Sequence, residues 1–225
     1  MKGPGRLDAV NFELIECGDA RLVSSTDLSV AVAQINAAAI DVEQSADNRS
    51  EVLSFVAGHK DAALRTCPSA HLTGSALVVD PLHQRTLLML HRKLGRWFQP
   101  GGHADGDTNL AAVALREATE ETGLKGLSVL LPAIDVDVHV VEPPKEPPHK
   151  HLDVRFIVLV GEDSHESANE ESLALRWVGI DDLGSLEPAI DPGTEHLVRR
   201  GLALVELSQI EISQYRQGSD KHQGG

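Results

Sequence analysis

Residues 101–124 read GGHADGDTNLAAVALREATEETGL. A glycine pair and an acidic turn open the stretch, a helical pattern follows, and Gly123 is the usual kind of C-terminal stop. On a helical wheel Leu110, Ala111, Ala114 and Ala118 form a stripe of mostly small apolar side chains that can lie close against a sheet. Beside it, Glu117, Glu120 and Glu121 stand at i, i+3 and i+4, so their carboxylates converge within one turn. Like charges at this spacing repel by about 0.2–0.5 kcal/mol per pair. The last turn of a helix also carries partial negative charge and favours Lys or Arg, not Glu. A cation held by the three carboxylates reverses both penalties, and oxygen-only ligands select a hard ion such as Mg²⁺ or Mn²⁺. An isolated EATEE string would read as a solvated acidic face; the surrounding spacing decides otherwise.

Gly102, five residues, Thr108, seven residues and then Arg116-Glu117-Ala118-Thr119-Glu120-Glu121-Thr122-Gly123-Leu124 form a long pattern. It resembles the Nudix box, G-x5-E-x7-R-E-U-x-E-E-x-G-U, where U is a bulky aliphatic residue. Two positions depart from it: Thr108 replaces the first Glu, and Ala118 is small where a bulky residue is usual. Asp105 and Asp107 flank Thr108 and could take over some of the missing role, while Thr108 or Asp107 could also serve as the helix N-cap.

The resemblance implies an α/β fold, a Nudix-type α/β/α sandwich with a mixed curved sheet, here with an N-terminal helical extension. It implies divalent-metal-dependent hydrolysis of a phosphoanhydride, often a nucleoside diphosphate linked to another group. Glu117, Glu120, Glu121 and the backbone carbonyl of Gly102 are then the metal ligands, and Arg116 orients the acidic cluster. The general base is Glu120 or an acidic residue in the loop before the last central strand, the place occupied by Glu170 and Glu171. A nucleotide-binding or regulatory module without turnover stays open as the alternative. Diphosphate isomerisation ranks lower, because no cysteine lies near the box.

The rest of the chain sets the bounds. Its 225 residues suffice for one good core with an added segment, and a hydrophobic content of 41% is ordinary. With only 3% aromatic residues, that core must be built from Val, Leu, Ile and Ala. A formal charge of −14 argues against a nucleic-acid partner, which would need a basic face. The two cysteines, Cys17 and Cys67, have no metal-type spacing. No signal peptide and no apolar run of membrane-spanning length is present, so a cytoplasmic protein with no membrane partner is expected.

Three regions are expected: an N-terminal segment over 1–68, a catalytic domain over 69–207 and a disordered tail over 208–225. Within the first, VNFEL can form a strand. Leu28, Val32, Ile35 and Ala39 share a helical face capped by Ser25 or Thr26, and a second helix starts at Ser50 after a polar break at 44–50. This helical pair can pack on the main domain or on a second subunit, which leaves a homodimer open. His59 reads as a partly buried helix histidine.

From Pro68 the period becomes that of strands, at 71–80 and 85–91. Arg92, Lys93 and Arg96 follow, basic residues of an acidic protein that could bind phosphate oxygens. Trp97 reads as a packing residue.

After the acidic helix, two alternating segments face each other across a proline-rich turn at 142–148. On the first, Ile134, Val136, Val138 and Val140 oppose Asp135, Asp137 and His139; on the second, Leu152, Val154, Phe156 and Val158 oppose His149, His151, Asp153 and Arg155. So many ionisable groups on one face predict a substrate lining, with His103, His149, His151 and Asp153 as contacts, in preference to a second metal site. A short strand at 173–178 and an amphipathic helix after Pro192 complete the core.

Overall fold

The computed structural model describes residues 10–40, 42–143, 147–161, 166 and 172–208. Glu170 and Glu171, the tip of the proline-rich turn and the tail from 209 lie outside the described residues. The strands are β1 (Glu13–Glu16), β2 (Ala70–Asp80), β3 (Arg85–His91), β4 (Arg96–Phe98), β5 (Gly101–His103), β6 (Ser128–Leu131), β7 (Asp135–Val141), β8 (His149–Leu159) and β9 (Ser172–Val178). The α-helices are α1 (Leu28–Ala37), α2 (Glu43–Gly58), α3 (Leu110–Thr122) and α4 (Pro192–Leu207).

Among the described residues the strands form one mixed nine-stranded sheet in the order β1-β6-β8-β2-β3-β4, with β5 on β2, β7 on β8 and β9 on β3. Its central pair, β2 and β8, is parallel, with His71 opposite His151 and Thr73 opposite Asp153. The other pairings are antiparallel, including β7 on β8 with His139 opposite His151. Helices cover both faces, and the result is the α/β/α sandwich expected. One core joins α1, α2 and α3 to one face of the sheet through Ile35, Val52, Leu110, Val154 and Phe156. A second joins α4 to the other face through Leu77, Leu88, Ile157, Leu197 and Leu202.

Alternation along β2 and β8 allots side chains to these two layers. Leu72, Ala76 and Val78 belong to the first core, Leu77 and Val79 to the second. His71, Thr73 and Ser75 continue the Leu77 face toward the start of the strand. The apolar stripe of α3 is buried as its spacing requires: Leu110, Ala111, Ala114 and Ala118 are each fully enclosed. Gly123 ends α3 at φ 69°, a left-handed cap that costs glycine no steric penalty.

The N-terminal segment departs most from expectation. Asp27, not Ser25 or Thr26, caps α1 by accepting from the Ser29 amide. Helix α2 begins at Glu43, so the polar stretch expected to be a break is its first half, and Ser50 is mid-helix, donating to Ala46 O. The reason is tertiary. Ser45 and Asn48 face inward, where Ser45 Oγ donates to Asp135 at 2.6 Å and Asn48 Nδ2 donates to Val136 O at 3.1 Å. A helix whose buried face meets a polar strand shows no apolar period there. Residues on both sides of Pro68 share one core, and Arg200 of α4 donates to Ala39 O and Ile134 O. His59 follows α2, half-buried, with its ring stacked on Phe55 at 3.8 Å.

Candidate functional site

Helix α3 presents its glutamates to the glycine loop. Glu121 is buried, and its Oε2 accepts from the Gly101 amide at 3.0 Å. Glu117 is half-buried; Arg116 Nη2 donates both to its Oε1 at 2.9 Å and to His103 O at 3.0 Å. Glu120 is exposed. A methyl group at residue 102 would collide with the Glu117 carboxylate, so glycine is what lets backbone and carboxylate approach here. The structure therefore brings Gly102, Arg116 and Glu117 together with Glu121, and leaves Glu120 on the same turn facing solvent. Carboxylate oxygens held against the glycine backbone in this way fit a hard divalent ion.

The position that departs from the box has other work. Thr108 is buried and its Oγ1 donates to Ser25 O at 3.0 Å and Asp27 O at 2.8 Å. Asp107 accepts from the amides of Ser25 and Asn109. Asp105 pairs with Arg65, whose hydrogen bond holds the Asp105 carboxyl below its ordinary range. The N-cap of α3 is Asn109, not Thr108 or Asp107; its side chain accepts from Ala112 N and donates to Arg21 O and Val23 O. Thus Thr108 and its acidic neighbours dock the N-terminal segment. A cavity of about 590 Å³ opens between that segment and the loop, lined among others by Leu22, Thr26, Asp105, Asp107 and Arg116.

Arg92, Lys93 and Arg96 are exposed on and beside the β3–β4 turn, and Arg92 Nη2 donates to Ser172 O at 3.1 Å. Trp97 is buried and its Nε1 donates to Glu187 O, so it packs.

The ribbon of β7 and β8 pairs as its alternation predicts, but its ionisable face is not the open lining expected. Asp153 is 2% exposed and its carboxylate accepts from Thr73, Ser75 and Arg155. Arg155 also donates to Asp135 at 3.1 Å and Asp137 at 2.8 Å. With its oxygens taken inside the sheet, Asp153 belongs to a buried ion network and not to a substrate contact. Burial works against the charged form of Asp137, yet bonds from His139 and Arg155 hold its carboxyl below the ordinary range. Arg155 is held above its ordinary value: its burial is outweighed by the three aspartates.

At the open end of this network the histidines gather. His71, His149 and His151 place ligand atoms within 4.8 Å of one another. The His103 ring lies 4.9 Å from that of His71 and 5.0 Å from that of His151. Burial, aided by the neighbouring imidazoles, pushes His151 down to about 3, and burial also lowers His103. His71 was not singled out from sequence. Its alternation with Thr73 and Ser75 was legible, but its neighbours come from the parallel pairing with β8.

Residues 71–201 match the model of the NUDIX domain, and the chain belongs to that family. It is an enzyme family of hydrolases, in keeping with the glutamate-bearing helix and glycine loop. The fold is similar to that of a NUDIX-family hydrolase from Clostridium perfringens, at 23% identity and TM-score 0.48, covering 60% of this chain and 97% of that one. It is also similar to an Ap4A hydrolase from C. elegans in a binary complex, at 17% identity and TM-score 0.48, again covering 60% and 97%. A third is the MutT protein of Methanosarcina mazei Go1, at 19% identity and TM-score 0.42, covering 61% of this chain and 95% of that one. No curated protein matches the sequence. Among the described residues no helix is long and apolar enough to cross a membrane.

Proposed function

We propose that the protein hydrolyses a phosphoanhydride in a nucleotide-derived diphosphate, with Mg²⁺ or Mn²⁺ as the cofactor. The observation that carries this reading is the closure of α3 on the glycine loop, with Glu121 on the Gly101 amide and Glu117 in the space that residue 102 leaves by lacking a side chain. Glu117, Glu120, Glu121 and the Gly102 carbonyl would hold the ion. When bound, such an ion supplies Lewis acidity that offsets phosphate charge and makes water a usable nucleophile near neutral pH.

The chain's own residues do the rest. Glu120, exposed beside the other two carboxylates, accepts the proton of the attacking water. Glu170 and Glu171, outside the described residues, are the other candidates for that role. Arg116 grips Glu117 and the His103 carbonyl at once, so it fixes helix and loop in one register. Arg92, Lys93 and Arg96 supply exposed cations for phosphate oxygens. Residues 69–207 carry the chemistry, while Thr108 and Asn109 fasten the N-terminal segment to the base of α3.

The test is incubation of purified protein with nucleoside triphosphates, dinucleoside polyphosphates, nucleotide sugars and coenzymes, with either metal, and products identified by mass spectrometry. Release of phosphate, pyrophosphate or a nucleoside monophosphate from at least one class is expected. No product from the whole panel overturns the reading, and thermal stabilisation by a nucleotide that stays intact would favour a binding module instead.

A further inference from the structure

We infer that His71, His149 and His151 form a binding site for one divalent transition ion of the zinc type, separate from the acidic helix. His71 stands at the start of β2, opposite His151 on β8, and His149 is two residues before His151 on the same strand, hence on the same face. Two of the three are buried and the third is half-buried. Their ligand atoms lie within 4.8 Å of one another, against roughly 3.3 Å between imidazole nitrogens around a tetrahedral zinc with bonds of about 2.0–2.1 Å. Movements of about 1 Å at each ring bring the set to bonding distance. Imidazole nitrogens suit Zn²⁺, Co²⁺, Ni²⁺ or Cu²⁺ and not the hard ions that the glutamates select.

Three further features suit a cation at this point. His149 Nδ1 lies 2.9 Å from Pro147 O, so this nitrogen carries the hydrogen and Nε2 keeps the lone pair a ligand needs. Burial keeps His151 below the ordinary histidine range, in the neutral form a ligand needs. In the next rows of the same face, Asp135, Asp137 and Asp153 surround the single guanidinium of Arg155, leaving an excess of negative charge beside the rings.

The acidic helix and the imidazoles lie on opposite faces of β5. A side chain at residue 102 would point at Glu117, whereas one at residue 101 would meet Ser75, on the His71 side. His103 follows the same alternation, and its ring contacts His71 and His151. An ion here pins the adjoining ends of β2 and β8, and through His103 it steadies the strand that carries Gly102.

The untagged full chain with Glu117→Gln and Glu120→Gln, stripped with chelator, is titrated with Co²⁺ at neutral pH. One equivalent with the intense visible absorption of low-coordinate Co²⁺ is expected, displaced by Zn²⁺ and unmoved by excess Mg²⁺. His151→Gln and His149→Gln added to that background should abolish the absorption and the accompanying rise in Tm. A featureless titration, or absorption of full strength in both histidine variants, overturns the site. As a check that needs no variant, zinc-edge X-ray absorption of the wild-type chain at one equivalent should show three imidazoles; an all-oxygen shell overturns it. Neither readout depends on hydrolysis, so failure of this site and failure of the proposed hydrolysis are told apart.

Discussion

On the α3 side of β5, Glu117, Glu120 and Glu121 crowd a helix end whose own dipole repels them, and Arg116 is bonded to Glu117 alone of the three. On the other side, Asp135, Asp137 and Asp153 gather around Arg155, which donates to all three. The same residue chemistry thus serves two ends. Carboxylates satisfied by a buried guanidinium and by Thr73, Ser75 and Ser45 hold the sheet together. Carboxylates gathered at a partly open loop carry the site proposed for the divalent ion.

The contrast can be broken from either side. The largest effect is expected for Arg155→Leu, which leaves three aspartates in a largely buried cluster without their cation. Removing one partner of such a group costs about 3–5 kcal/mol, and urea unfolding should show that loss. Where the variant still folds, kcat should stay near the wild-type value. Glu120→Gln should do the reverse, cutting kcat by roughly two orders of magnitude or more while the unfolding midpoint stays put. Full activity in that variant would place the base elsewhere, with Glu170 and Glu171 next to be tested.

Gly102→Ala should damage both properties. The added methyl meets the Glu117 carboxylate, the mobile end of its side chain, so that carboxylate must swing away: weaker Mg²⁺ binding by calorimetry is expected, with a small fall in Tm. Thr108→Val should be milder, about 1 kcal/mol from loss of the one hydroxyl donor shared between Ser25 O and Asp27 O, with little change in kcat. A large loss of activity there would mean that Thr108 serves the metal site after all.

A separate signal is in pH. In chelated protein His151 is neutral when folded down to about pH 3, whereas the unfolded chain takes up its proton near pH 6.5. Stability from this group is therefore complete above about pH 6.5 and falls as the pH drops from there toward 3. Asp137, with its carboxyl lowered, acts in the same direction further down: it stabilises above its unfolded value and the contribution is lost on acidification through the folded one. Urea melts across this range should show falling stability toward acid, and His151→Gln should flatten the upper part of the curve.

Elements with a strong period were legible in the sequence. The acidic helix, the strand at 85–91 and the helix after Pro192 stand where their patterns put them. Helix α2 was half hidden because Ser45 and Asn48, its inward residues there, are polar and are satisfied by Asp135 and Val136 across the layer. The pattern of the β7–β8 face was legible too, but its burial was not. Alternation tells which residues share a face, and says nothing of whether Arg155 will seal that face from solvent.

What the sequence determined by itself was the glutamate site, because helix geometry converts spacings of three and four directly into neighbours, whatever else the chain does. The tertiary structure alone decided that Thr108 would fasten the N-terminal segment, and that His71 would meet His149 and His151. Those contacts depend on strand register and layer packing between distant parts of the chain. A shift of one residue between β2 and β8 would turn the imidazoles to opposite faces, and no local pattern records which register is adopted.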